Sequence, residues 1–167
     1  MVRRFLPHVG VVIGLMLAVY ALFFSRDAED EVRDHLERLE AAVDVAPGTQ
    51  VVLRAARVKQ EFRELFTADV TFDVPELDGA DAEGRKGLIA LAAAAPRRFE
   101  RARLELDGLD IELSGDERSA IAVGEAIIVG AGYGEPVRRD RRTVSLQLER
   151  GDDGWRIVSL SASAPTR

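Results

Sequence analysis

Cysteine is absent from the 167 residues, and histidine occurs only twice, as His8 and His35. The first absence excludes a disulfide framework, a thiolate nucleophile, a cysteine-based zinc site and a lipidated cysteine. The second makes a histidine metal cluster or a Ser-His-Asp triad hard to assemble. No metal and no cofactor is therefore expected. Basic residues are also outnumbered, 23 Lys and Arg against 29 Asp and Glu, for a formal charge of −6. A net-negative body binds nucleic acid poorly, because duplex affinity comes largely from neutralising phosphates. The exception is Arg138, Arg139, Arg141 and Arg142 around Asp140. That cluster has the chemistry to meet phosphate or anionic lipid, but its place before a strand reads as a solvated edge that discourages strand pairing.

What remains is ordinary for a globular chain, 47% hydrophobic and 31% charged, at a length that suits one domain plus an appendage. The appendage is at the N-terminus. Residues 5–24, FLPHVGVVIGLMLAVYALFF, carry no formal charge, follow Arg3-Arg4 and precede an acidic stretch. Twenty helical residues rise about 30 Å, the thickness of a hydrocarbon layer. Pro7 suits a first helical turn, and Tyr20, Phe23 and Phe24 suit an interface. The charge asymmetry predicts residues 1–4 as a cytoplasmic tail, 5–24 as a single transmembrane helix and 25–167 as an extracytoplasmic domain at the cytoplasmic (inner) membrane. The competing reading is a signal peptide cleaved after Ala21, but the apolar run is longer than such peptides use.

The body begins with two amphipathic helices. Val32, Leu36, Leu39 and Val43 recur at helical spacing over about residues 28–45, Pro47-Gly48 ends that helix, and Thr49 offers an N-cap for a second carrying Val51, Ala55, Val58, Phe62, Leu65 and Phe66. His35 beside the first stripe reads as a solvated or capped side chain rather than a general base. The period then changes to two in residues 69–74, which align Val70, Phe72 and Val74. Pro75 and the acidic run Glu76, Asp78, Asp81 and Glu83 form a loop without the regular ligand spacing of a calcium site. Asp81 is placed to cap a third helix over about 83–95, which stops at Pro96.

Four strands follow at about 99–113, 118–132, 141–150 and 154–164, with turns at Ser114-Gly115-Asp116, Gly134-Glu135-Pro136 and Gly151 to Gly154, as in an antiparallel meander. In the first of them the apolar face changes parity. Leu104 and Leu106 give way to Leu109, Ile111 and Leu113 across Asp107-Gly108, where one extra residue makes a β-bulge that bends the sheet. Trp155, Phe62, Phe66, Phe72 and Phe99 are expected mainly as core, since a small domain needs its large side chains for stability.

The junction FRELFTADVTFDV at 62–74 and the ending GDDGWRIVSLSAS at 151–163 resemble the NTF2-like superfamily, which includes ketosteroid isomerase and the SnoaL-like cyclases. The likeness covers about residues 28–164. It implies an α+β cone, a curved antiparallel sheet wrapped around three helices, with a pocket on the concave face and a second subunit often on the convex one.

Against that frame Glu125 stands out as the lone carboxylate in AIAVGEAIIVGAGY, residues 120–133. Ile121, Val123, Glu125, Ile127, Val129 and Tyr133 share one face; Ala120, Ala122, Gly124, Ala126 and Ile128 share the other, and both faces are expected to be covered. If the bulky face is concave, Glu125 points into an apolar pocket, where desolvation raises a carboxyl pKa. The blander alternative pairs it with an arginine on a neighbouring strand, Arg103 or Arg142, or lets it snorkel to the rim. The leading expectation is a membrane-anchored domain, not catalytic, that binds a ligand or protein with Glu125, Tyr133 and Phe72 at the ligand. Its partners are membrane lipid through the span and either a second copy or an envelope protein. The one-span layout is similar to that of bitopic inner-membrane subunits of type IV secretion machines. The alternative is an isomerase or cyclase using Glu125 as acid/base, with Tyr133 and Asp73 or Asp110 beside it.

Overall fold

The computed structural model describes residues 27–48, 50–75 and 83–164. The predicted span 5–24, the cap Thr49 and the loop acids Glu76, Asp78 and Asp81 lie outside the described residues. Among those described, no helix is long and apolar enough to cross a membrane. The described residues form three helices and five strands in the order α1 (Ala28–Val43), α2 (Val51–Leu65), β1 (Phe66–Asp73), α3 (Gly84–Ala94), a 3-10 turn (Ala95–Arg97), β2 (Phe99–Leu113), β3 (Ser119–Gly132), β4 (Arg138–Gly151) and β5 (Gly154–Ser163).

The apolar stripe of α1 is buried as the spacing predicts, with Val32, Leu36 and Leu39 at 4% exposure or less. They pack with Val58, Phe62 and Leu65 of α2 against Ala120, Ala122, Leu146, Leu148 and Ile157 of the sheet. Fully burying one such aliphatic side chain stabilises by about 1.5–3 kcal/mol, so this layer carries much of the fold. Phe66 starts β1 instead of ending α2, and its ring meets that of Phe62 at 5.0 Å between centroids. Polar ties surround the layer. Arg54 donates to the Val43 carbonyl at 2.9 Å and to that of Asp44, capping the C-terminus of α1. Arg150 pairs with Glu31 at 2.6 Å and lies over the Trp155 ring.

The five strands form one sheet in the order β1-β5-β4-β3-β2. The last four make the expected antiparallel meander, but β1 runs parallel to β5. The sheet is therefore mixed rather than wholly antiparallel, because α3 intervenes after β1 and the chain returns to β1's side only with β5.

The bulge falls where the parity change places it. Pairing of β2 with β3 slips between Asp107 and Asp110, and Gly108 has φ of 61°, a left-handed conformation that glycine adopts without strain. Opposite the bulge stands Gly124, where a Cβ would lie 2.8 Å from the Asp107 carbonyl oxygen and 3.2 Å from Leu109 Cα. The outer edge of β2 is covered by the end of α1: Glu40 accepts from the Leu106 amide, and Val45 and Ala102 exchange backbone hydrogen bonds. This protects an otherwise open ladder.

Two sequence expectations are corrected here. His35 is buried rather than solvated, 7% exposed, and its Nε2–H donates to the Leu65 carbonyl at 3.1 Å. It sits beside Leu36 on a helix that is covered by both α2 and the sheet. Phe99 is 40% exposed at the start of β2, while Phe62, Phe66 and Trp155 are core.

Two predictions follow from these contacts. Gly124→Ala destabilises the protein by about 2 kcal/mol or more in urea or thermal unfolding, whereas Gly130→Ala stays within about 0.5 kcal/mol, since its nearest atoms would be 3.6 Å away or more. The reverse ranking would show that the bulge is not what limits this strand. The second concerns His35, whose pKa burial lowers from 6.5, outweighing its bond to Leu65, with Arg38 and Arg156 adding to the fall. The unfolded chain then binds more protons, so the neutral imidazole's contribution is present above pH 6.5 and is lost as pH falls through the folded value. The stability advantage of wild type over His35→Leu is therefore greater at about pH 7.5 than at about pH 5.5. An advantage independent of pH would contradict the buried neutral state.

Candidate functional site

Helices α1 and α2 cover only part of the concave face. A cavity of about 340 Å³ remains between Leu39 and the strands. Its wall comes from every layer: Leu39 of α1, Val74 after β1, Leu104 and Leu106 of β2, Ala126 and Ile128 of β3, Val144 and Leu146 of β4, Leu160 and Ala162 of β5. The cone is packed at the Leu148 end and hollow at this one. Asp140 and Arg142 are the remaining described lining residues. Arg142 holds the Asp140 carboxylate through Nε and Nη2, each 2.9 Å from the same oxygen Oδ2.

The small face of β3 is the concave one. Ala120, Ala122 and Ala126 are buried, while Ile121 and Val123 stand about two-fifths exposed on the convex face. The expectation that both faces are covered is thus corrected, and so is the premise that would direct Glu125 inward. An apolar face need not be the inner one: the alanines and Gly124 are what allow the bent sheet to approach α1 and the bulged β2. Glu125 lies on the convex face, its side chain 46% exposed, and accepts from Arg141 at 3.3 Å. The partner is Arg141 rather than Arg103 or Arg142. In the register Glu125 stands across from Thr143, one step from Arg141 on the same face, whereas Arg142 points to the opposite side.

The other two predicted ligand residues also stand apart from the cavity. Tyr133 is 66% exposed in the turn after β3 and donates its hydroxyl to the Pro96 carbonyl at 2.8 Å. Phe72 pairs with Leu160 on β1 at the far edge of the sheet and lines a shallow hollow with Thr71, Glu83 and Gly84. Two strands separate β1 from β3, so Glu125, Tyr133 and Phe72 do not converge. The residues that do converge were legible only in part. Alternation along β4 puts Asp140 and Arg142 on the face of Val144 and Leu146, a signal hidden when the arginines are taken as one basic cluster.

The arginine segment is an edge of a restricted kind. Residues 138–142 pair with β3, but pairing with β5 begins only at Thr143. A second hollow, lined by Glu31, His35, Arg38, Glu64, Asp153 and Arg156 among others, is an open polar cleft whose charges are engaged in ion pairs with one another or with neighbours. Among the described residues no group of three His, Asp or Glu is placed to hold a metal.

Since the Glu125–Arg141 pair is exposed, Glu125→Gln is expected to change unfolding stability by less than about 1 kcal/mol. It is also expected to leave binding in the cavity unaltered. A loss of cavity binding in that variant would show that the convex face communicates with the site.

Solved structures share this architecture. The chain is similar to an NTF2-like superfamily protein from Salmonella enterica serovar Typhimurium LT2 (TM-score 0.66, 17% identity, covering 84% of this chain and 92% of the other). It is similar to an NTF2-like protein with a cystatin-like fold from Novosphingobium aromaticivorans (0.63, 17%, 89% and 87%). It also resembles the hexachlorocyclohexane dehydrochlorinase LinA-type3 from Novosphingobium barchaimii LL02 (0.61, 15%, 83% and 86%). At these identities the likeness is one of fold. No curated protein matches the sequence. The pattern of the SnoaL-like domain spans residues 26–161, and on that match, with three helices under a curved sheet, the chain belongs to the SnoaL-like family of the NTF2-like fold.

Proposed function

We propose that this protein is a membrane-tethered binding domain that holds a small apolar ligand in the cone without transforming it. The observation that carries the reading is the cavity itself. A closed empty void of about 340 Å³ would cost on the order of 8 kcal/mol at about 24 cal/mol per Å³, a large fraction of the 5–15 kcal/mol that stabilises a typical domain. An opening to solvent lowers that cost by admitting water, which an apolar ligand then displaces. Catalysis is disfavoured because, apart from the paired Asp140 and Arg142, the described lining residues are Leu, Val, Ile and Ala. The alternative, an isomerase or cyclase using Glu125, requires that carboxylate at the ligand, and it lies on the outer face of the sheet. Proteins of similar structure include a dehydrochlorinase, so the fold itself permits chemistry.

The tether rests on the uncharged residues 5–24 between Arg3-Arg4 and the acids that follow, an arrangement that favours retention in the cytoplasmic membrane with the body outside. A second copy is the partner best supported by the surface. The convex face exposes Ile121 and Val123 between a basic end, Arg103, Arg139 and Arg141, and an acidic end, Asp110, Glu112 and Glu149. A two-fold axis through its middle would set each end against its opposite. Size-exclusion chromatography of the wild type and Val123→Arg tests that pairing.

Two measurements test the main reading. Ala126→Phe fills the cavity, so 1-adamantanol binding is expected to vanish while the melting temperature holds or rises; retained binding would place the ligand elsewhere. In cells, the full chain is expected to stay in the membrane pellet after alkaline carbonate and to be cleaved by protease added to spheroplasts. A mature chain starting beyond Ala21 would remove the tether.

A further inference from the structure

We infer that the outer face of α2, with Val52 and Leu53 at its tip and Arg57, Lys59 and Arg63 behind them, docks on anionic phospholipid of the bilayer that holds the tether. This rests on the tether reading above and adds which side of the domain meets the membrane.

Three observations lead to it. The first is the face itself. Val52, Ala56, Lys59 and Arg63 recur at helical spacing and are all exposed, with Leu53 and Arg57 exposed on the adjoining row. Val52 is 81% and Leu53 66% exposed, an apolar pair at the tip of a helix whose inner stripe, Val58, Phe62 and Leu65, is already buried in the core. An apolar tip followed by cations is the layout of a helix that lies in a membrane interface.

The second is where the charge is placed. Helix α1 carries six acids and two arginines, whereas α2 carries four bases and two acids. Both acids of α2 are turned toward α1, where Arg38 takes Glu61 at 3.2 Å and Glu64 at 2.7 Å. Among the described residues no ion pair engages Arg57, Lys59 or Arg63. Arg85 of α3 donates to the Arg63 carbonyl at 3.2 Å, so α3, with Arg85, Lys86 and no acid in Gly84–Ala94, continues the cationic side. A chain of formal charge −6 thus keeps a basic flank, which anionic headgroups attract.

The third is the reach of the tether. From Phe24, the last residue of the uncharged run, to Ala28 at the start of α1 the chain can extend no more than about 14 Å, so α1 begins close to the headgroups however the domain turns. Standing end-on, the domain would press its acidic end on the bilayer: Glu29, Asp30 and Glu31, and the β4–β5 turn with Asp152 and Asp153, which Arg150 links to Glu31. Anionic lipid repels that end. It would also hold Val52 in solvent, because α1 is about 24 Å long and α2 runs antiparallel to it, Leu65 beside His35 and Arg54 beside Val43. Lying on its side, the helix pair sets Val52 and Leu53 on the bilayer and leaves Ala28 within reach of the tether.

The chain has no cysteine, so Val52→Cys and Asp152→Cys each provide a single site for an NBD fluorophore. The full chain is placed in nanodiscs of phosphatidylcholine with or without phosphatidylglycerol, and lipids carrying a doxyl group near the headgroup quench a label that touches the bilayer. In discs with phosphatidylglycerol the label at position 52 is expected to lose most of its emission and the label at position 152 to keep it, with the quenching relieved as salt is raised. Arg57→Glu combined with Lys59→Glu is expected to restore emission at position 52; both side chains are exposed, so an unchanged melting temperature separates lost docking from a damaged fold. Quenching at position 152 instead of 52, or at neither, in chains that co-purify with the discs overturns the docking. Quenching at position 52 that is the same without phosphatidylglycerol and survives the double substitution overturns the assignment to anionic lipid. A chain that does not co-purify with the discs overturns the tether reading itself.

Discussion

The bulge at Asp107-Gly108 is the constraint on which the remaining geometry depends. Without it, residues on one face of β2 before the bulge would lie on the opposite face after it, and Leu104 and Leu106 could not share the concave side with Leu109, Ile111 and Leu113. The extra residue restores the alternation and bends the strand. Gly124 across the ladder makes space for the displaced backbone. The Glu40 carboxylate engages the Leu106 amide from α1, so helix and bend are tied at one place. The sheet then closes over α1 and α2 and leaves a cavity beside Leu39.

The site lies on the same bent face. The same concave face is core where Ala122, Leu146 and Leu148 pack in one cluster with α1, and cavity wall where Leu104, Ile128 and Ala162 line the open space. Leu39 and Leu146 belong to both. Core and site thus share a single apolar surface. The polar contribution is confined to the rim, where β4 extends past its pairing with β5 and carries Asp140 and Arg142 inward and Arg139 and Arg141 outward.

Local patterns carried a large share of the fold. The stripe Val32, Leu36, Leu39, the alternation of Val70, Phe72 and Val74, and the parity change at Gly108 all correspond to elements or faces of the structure. Candidate site residues were less legible. Glu125 draws notice because a carboxylate among apolar residues is unusual, but unusual composition does not say which side of a strand faces inward. Both faces of β3 are apolar, one of small residues and one of large ones, and size alone pointed to the wrong one as the interior. His35 was misplaced for a related reason, since a helical stripe adjoining two packing partners is wider than one facing a single layer.

The sequence by itself determined the element types, their order, the bend in β2 and the class of chemistry left open by the lack of cysteine and the scarcity of histidine. These are properties of short segments, set by side-chain periodicity and by glycine's tolerance of left-handed backbone. Only the tertiary structure decided that β1 would join the sheet parallel to β5, that the alanine face of β3 would turn inward, and that Arg142 rather than Glu125 would face the cavity. Those outcomes depend on how closely distant segments approach, and close approach rewards the small side chain over the more hydrophobic one.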